Sequence, residues 1–328
     1  MTRPHAGRRA ILVLIVGLAG CRAGNEVVAY TSVDQVFSEP VFRECEQQAG
    51  FAVRAVFDTE ENRLIAEAAS PHADVFWSGD PVRPYLLVKR GLVEPYLSPN
   101  AAAIPAAFKA ADGTWTGLGA RARILLVNTS RVDADSMPRS IVDLANPHWS
   151  GDTAIANPLF GTTTMHVAAL FAAWGDERAR AFLKDLRTNG VRVASSNGEV
   201  KRLVAAGEVA FGLTDTDDAH EALAEHAPVT VVYPDQDGLG TLVMPTAVVL
   251  LKGGPHPQPG RQLIDCLLRP EVERRLAESA AHMPLGPGVP PPQGVVAIGE
   301  LHAMPVDYAH LGEIMERIEP WLREWTGV

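Results

Sequence analysis

Short apolar runs alternate along the chain with stretches in which apolar residues recur every three or four positions. That alternation predicts an α/β protein with mostly parallel sheets. Residues 27–30 read as a first strand, Thr31-Ser32-Val33-Asp34 as a turn and helix cap, and 36–48 as a helix closed by Gly50. A second strand is expected at 51–57, a helix at 63–69 and a third strand at 73–77, with Ser78-Gly79-Asp80 as its exit loop. Gly117-Leu118-Gly119 reads as a turn before the apolar run 123–127. A second long apolar run, 241–251, follows the turn-rich stretch 234–238, and Pro245 inside it marks a bend or an unpaired position. Between these runs lie expected strands at 153–156, 191–194 and 209–213 and helices at 165–174, 177–186 and 199–206. Residues 284–292 read as a proline-rich linker, and 308–325 as a closing helix with Leu311, Ile314, Met315 and Ile318 on one face. No internal repeat is present.

The first residues follow another pattern. Arg3, Arg8 and Arg9 precede the apolar run 10–16, and Leu18-Ala19-Gly20-Cys21 ends it as a bacterial lipoprotein processing site would. Residues 1–20 are thus expected to be a signal peptide, with Cys21 lipidated so that the protein is anchored to a membrane and works outside the cytoplasm. The apolar run is too short for a permanent span, and an uncleaved signal anchor is the competing reading. What remains of the 328 residues exceeds one ordinary core, so two lobes are expected. A lobe interrupted by the other must be crossed twice, which makes 124–127 and 242–244 the natural hinge strands. The boundaries expected are 21–126 with 245–295 for the first lobe and 127–244 with 296–328 for the second. The formal charge of −10 argues against nucleic acid as a partner. Cys45 and Cys266 both fall in helix-like stretches, and a disulfide or two buried thiols are both open.

Thr246-Ala-Val-Val-Leu-Leu-Lys-Gly-Gly-Pro-His-Pro257, the amphipathic 262–268 and the segment 270–277 resemble the late part of solute-binding proteins that feed ABC importers. With Val27-Val-Ala-Tyr-Thr-Ser32, Ala73-Asp-Val-Phe-Trp-Ser-Gly-Asp80 and the segment 207–217, nearly all of 27–328 resembles the ferric-ion-binding branch of that superfamily. The resemblance implies a type II periplasmic-binding-protein fold: α/β, two-lobed, each lobe a mostly parallel sheet flanked by helices and joined by two hinge strands. It implies no enzyme activity, closure of a monomer over a small ligand, and delivery to an ABC permease in the membrane. The ligand it implies is ferric iron, Fe(III), with phosphate or carbonate as a synergistic anion. At the ligand positions the chain departs from the pattern. Asp217-Asp218 stand where adjacent tyrosines are common, Asp34 where a histidine often contributes, and Gly79, beside Asp80, where a carboxylate is common. All five tyrosines are isolated in sequence.

Thr214-Asp215-Thr216-Asp217-Asp218 puts three carboxylates at the C-terminal end of an expected strand, where open α/β folds bind ligands, and oxygen-rich sets suit hard cations. A helix starting there would put Asp217 and His220 on one face, so Asp217, Asp218 and His220 are the candidate metal ligands. The plain alternative is a solvated first turn. Gly161-Thr162-Thr163-Thr164 opens a helix after Asn157-Pro158 and would direct free N–H groups and hydroxyls at one anion, unless it is an ordinary cap. By resemblance Arg121 and Asn197 stand beside that anion, and Thr31 and Ser32 face it from the other lobe. Asp34, Ser78, Asp80, Thr214 and Asp215 complete the candidate set. Two readings follow: a metal with its anion, or a phosphonate or phosphorylated organic solute whose amine or hydroxyls meet the aspartates. A metal-dependent phosphoesterase is a remote third, since no GxSxG or HExxH motif is present.

Overall fold

The computed structural model describes residues 26–59 and 61–327. Strand β1 (Glu26–Thr31) pairs in parallel with β2 (Ala52–Val56) and β3 (Val75–Ser78), and helix α1 (Gln35–Ala49) connects the first two. The short helix α2 (Glu61–Ala66) precedes β3, and α3 (Val82–Lys89) follows it. The long strand β5 (Thr116–Asn128), reached through the two-residue β4 (Val93–Glu94), carries the architecture. Its first half, to Ala122, pairs antiparallel with β10 (Val243–Leu251), which also pairs with β3 and β4. From Arg123 on, β5 pairs instead with β8 (Phe211–Asp215) and β9 (Val229–Val232). The parallel strands β6 (Thr153–Ala156) and β7 (Arg192–Ala194) extend that second half beyond β8.

Each half therefore has a parallel outer part, while the strands that link the halves run antiparallel. The change of partner between Ala122 and Arg123 falls just ahead of the boundary expected at 126/127. At Pro245, which has no N–H to give, the β5–β10 register shifts, as the sequence led us to expect. Helices α4 (Gly161–Trp174), α5 (Asp176–Thr188), α6 (Asn197–Ala205) and α7 (Thr216–Ala224) belong to the second half. Helices α8 (Pro257–Leu267) and α9 (Pro270–Ala280) return to the first. The closing helix α10 (Tyr308–Thr326) packs on both α3 and α4 and so touches both halves. Its Tyr308 hydroxyl donates to the Val243 carbonyl at 2.6 Å, and its Trp325 indole to Leu183 at 2.8 Å.

Gly117-Leu118-Gly119 is not a turn, as expected from sequence, but part of β5. The glycines are there because neighbours press on the strand: a Cβ on Gly117 would meet the Phe108 carbonyl at 2.8 Å, and one on Gly119, at φ +54°, the His282 ring at 2.9 Å. Buried Glu273 of α9 holds this stretch by accepting from the N–H groups of Gly119, Leu285 and Gly286. Cys45 of α1 and Cys266 of α8 form a disulfide, which settles the alternative left open by the sequence. No helix among the described residues is long and apolar enough to cross a membrane. The signal segment and Cys21 lie outside the described residues.

Candidate functional site

Two guanidinium groups on β5 organise the junction between the halves. A spacing of two places Arg121 and Arg123 on the same side of a strand. Arg123 has no solvent exposure, which is costly for a charge; its Nε has no partner, and its two terminal nitrogens carry the hydrogen bonds that hold it. It lies in register with Asp215 of β8, and its Nη1 donates to Asp215 Oδ1 at 2.6 Å, Thr162 Oγ1 at 2.9 Å and Asn197 Oδ1 at 3.1 Å. Its Nη2 donates to Thr163 Oγ1 at 3.1 Å. Thr162 in turn donates to Asp215 Oδ2 at 2.8 Å, and Asn197 Nδ2 donates to Thr162 Oγ1 and to Asp215 Oδ2. One buried ion pair thus ties the N-termini of α4 and α6 to the end of β8.

Arg121, two residues earlier, stands in the cleft itself. Its Nη2 donates to the Gly79 carbonyl at 3.2 Å in the loop after β3, and its Nη1 lies 3.5 Å from Asp217 Oδ2 on α7. This one side chain therefore bridges the two halves. On either side of it the cleft opens into an arm. The smaller, about 360 Å³, is lined by Ser32, Asp34, Asp217, His220 and His282 among others. The larger, about 520 Å³, reaches the α4 N-terminus past Gly161, Thr162 and Thr164.

The acidic end has its own electrostatics. One carboxylate oxygen each from Asp215, Asp217 and Asp218 lies within 4.8 Å of the others. Burial raises the Asp217 carboxyl above the usual range; Arg121 opposes that shift and Asp215 reinforces it. Burial, and then Asp217, push Asp218 to about 6, although the Thr214 hydroxyl donates to it at 2.5 Å. A cation at this point would relieve the strain among like charges. At the other end, α4 has no side-chain cap at Phe160, and the Thr164 hydroxyl is buried without a partner. Both leave donors for an anion.

The expected residues divide by position. Ser32, Asp34, Asp80, Arg121, Gly161, Thr162, Thr164, Asn197, Asp215, Asp217 and His220 line the cleft. Thr31 and Ser78 do not: they are fully buried, the Thr31 hydroxyl donating to the Trp77 carbonyl and Ser78 accepting from the Asp80 amide. Thr163 and Thr214 act from behind, on Arg123 and Asp218. Asp80 caps α3 through the amides of Val82 and Arg83 and pairs with the Arg83 guanidinium. His220 is drawn 3.1 Å from the Gln293 carbonyl and stands outside the carboxylate cluster, so the helix-face pairing of Asp217 with His220 does not gather a ligand set here. Asp215, expected as a ligand, is consumed by Arg123. The sequence reading missed Arg123 and His282. An arginine interrupting an apolar strand was the available signal for the first; nothing local marks the second, whose ring burial and the nearby Arg121 hold at about 3.

Two α/β halves joined by paired strands, with a polar cleft between them bridged by one arginine, define a protein that encloses a small charged solute. Residues 70–297 match the model of the bacterial extracellular solute-binding protein family, and the chain belongs to that family. Its members bind solutes and are not enzymes, so the phosphoesterase reading falls. The chain is 28% identical over 262 residues to Iron uptake protein A1 of Synechocystis, covering 76% of this chain and 72% of that one. It is 24% identical over 272 residues to a putative 2-aminoethylphosphonate-binding periplasmic protein of Salmonella typhi, covering 81% and 74%. Iron-bound HitA from Pseudomonas aeruginosa superposes with a TM-score of 0.80 at 23% identity over 92% of this chain and 99% of that one, which establishes the shared fold.

Proposed function

We propose that this protein captures ferric iron together with an anion outside the cytoplasm and hands it to an ABC permease, as a monomer tethered by a lipid on Cys21. The observation that carries this reading is that Asp217, in the cleft, and Asp218, beside it, bring carboxylate oxygens within 4.8 Å of each other, while the α4 N-terminus presents unused donors. Asp217 and Asp218 supply the hard oxygen donors for the cation. The α4 N-terminus, Thr164 and Arg121 hold the anion. Closure of a first lobe, 21–126 with 245–295, on a second, 127–244 with 296–328, shields both, with β5 and β10 absorbing the rotation. The ligand selects the closed form, which the permease then recognises. The iron named in the Synechocystis relative supports this cargo.

A second reading rests on one observation: none of the five tyrosines lines either arm of the cleft. A ferric site here has no phenolate, whereas an aminoalkylphosphonate, of the kind named in the Salmonella relative, would match Arg121 and the donors of the α4 N-terminus to its phosphoryl group and aspartates to its amine. Purification of the protein lacking Cys21 without added metal, followed by elemental analysis and native mass measurement, separates the two. Stoichiometric iron that is lost in the double variant Asp217→Ala, Asp218→Ala supports the ferric reading. A metal-free protein carrying a phosphorus-containing molecule refutes it.

A further inference from the structure

Helix α10 is held by different halves of the molecule at its two ends. Near its start the Tyr308 hydroxyl donates to the Val243 carbonyl of β10 at 2.6 Å, and the Tyr308 ring meets Trp115, just ahead of β5, edge-on with 6.0 Å between centroids. A turn later Gly312 lies so close to α3 that a Cβ would meet Val82 Cγ1 at 3.2 Å and Leu86 Cδ2 at 3.5 Å, and Glu313 pairs with Lys89 at the end of α3. From Arg317 the contacts pass to the second half. Arg317 Nη1 donates to Asp176 Oδ2 of α5 at 2.6 Å, Trp321 meets Phe171 of α4 at 6.1 Å beside the Arg180 guanidinium, and the Trp325 indole donates to the Leu183 carbonyl at 2.8 Å. Pro320 falls within a turn of this change of partner. It has no N–H to give the Glu316 carbonyl, and its ring resists a straight helix.

A rod held at both ends by bodies that rotate must bend or release one of them. Releasing either end of α10 would uncover Tyr308 or Trp325, both buried and hydrogen-bonded, whereas bending at a position that already lacks one helical bond disturbs little else. We propose that α10 is a third flexible crossing beside β5 and β10: residues 308–315 travel with the first lobe, 321–326 with the second, and 316–320 bend between them. The inference rests on the lobe closure proposed above and redraws its boundary, because 308–315 leave the second lobe. Ligand affinity then depends on Pro320, which lines neither arm of the cleft, since a stiffer α10 opposes closure.

Distances between nitroxide labels on introduced cysteines, measured by electron spin resonance on the protein lacking Cys21, test this. Gln47→Cys marks the first lobe, Glu225→Cys the second, and His310→Cys and Glu324→Cys the two ends of α10; all four positions are exposed. Each pair is measured alone, with Fe(III) plus inorganic phosphate, and with 2-aminoethylphosphonate. The Gln47–Glu225 control pair should spread or shift, His310–Glu225 and Glu324–Gln47 should follow it, and His310–Gln47 and Glu324–Glu225 should stay narrow and fixed. Pro320→Ala, its fold checked by circular dichroism, restores the missing N–H and should reduce the movement of the control pair. A control pair that moves while His310–Glu225 stays fixed overturns the inference and leaves lobe closure standing, because all of α10 would then travel with the second lobe. A control pair that moves as freely in Pro320→Ala as in the parent overturns the bend. A control pair that stays fixed under every condition removes lobe closure and this inference with it.

Discussion

Replacing Asp215 by alanine removes the carboxylate that neutralises Arg123, and the structure gives the guanidinium nowhere to go. Arg123 has 0% exposure and Asp215 2%, and they are 2.6 Å apart in paired strands. Breaking a buried ion pair from one side leaves an uncompensated charge, at about 3–5 kcal/mol, a large part of the 5–15 kcal/mol by which most domains are stable. The melting temperature should drop by roughly 6–12 °C. The same change strips one acceptor from Thr162 and Asn197, so the α4 and α6 N-termini lose their common anchor and ligand affinity falls too. Urea unfolding followed by tryptophan fluorescence measures the first effect. Arg123→Met combined with Asp215→Leu, which removes both charges, should recover at least half of the lost stability while ligand affinity stays low. A loss below about 1 kcal/mol for Asp215→Ala would refute the reasoning, because it would mean that water reaches Arg123.

Other consequences are testable with the same assays. Burial, with Arg123 nearby, holds the His166 imidazole at about 3 against an ordinary 6.5. Between those values the unfolded chain binds a proton that the folded protein does not, so stability falls as pH falls, by about 1.4 kcal/mol per pH unit. His166→Met should flatten the decline in urea midpoint between pH 6.5 and 4.5, and an unchanged slope would count against neutral burial. Thr164→Val keeps the shape of the side chain and deletes a buried hydroxyl that has no partner. It should leave the empty protein as stable or more stable by up to about 1 kcal/mol while weakening anion binding. A loss of stability with intact binding would show that the hydroxyl serves the fold.

Much of the fold was legible because it rests on local periodicity. Strands β1, β2, β3, β6, β7, β8 and β10 and helices α1, α4, α5, α6 and α10 stand where apolar spacing led us to expect them, β4 and β9 carried no expectation, and Pro245 announced its own irregularity through the missing N–H. What escaped was set by contacts between distant segments. Gly117 and Gly119 looked like a turn because a sequence does not show Phe108 and His282 pressing on a strand. Helix α3, just after the exit loop 78–80, carried no expectation: its start depends on Asp80 capping two amides, and Asp80 stood among the ligand donors instead.

The same division runs through the site, and it explains which residues changed roles. Proximity in sequence gathered Asp215, Asp217 and Asp218 correctly, since a strand end and the first turn of a helix are a few ångströms apart whatever surrounds them. Direction was beyond it. What a cleft carboxylate is free to do is decided by its partner: Asp215, at the floor of the larger arm, is held by Arg123 of β5, whereas Asp217 lies 3.5 Å from Arg121 of the same strand. His220, at the correct helical spacing from Asp217, is drawn away by the Gln293 carbonyl, a contact 73 residues distant in sequence. A pair of arginines two positions apart on β5 therefore sorts a run of aspartates into one that supports the fold and one that stands open in the cleft. Exchanging the charge at Arg121 should change what is bound, and exchanging it at Arg123 should change whether the site forms at all.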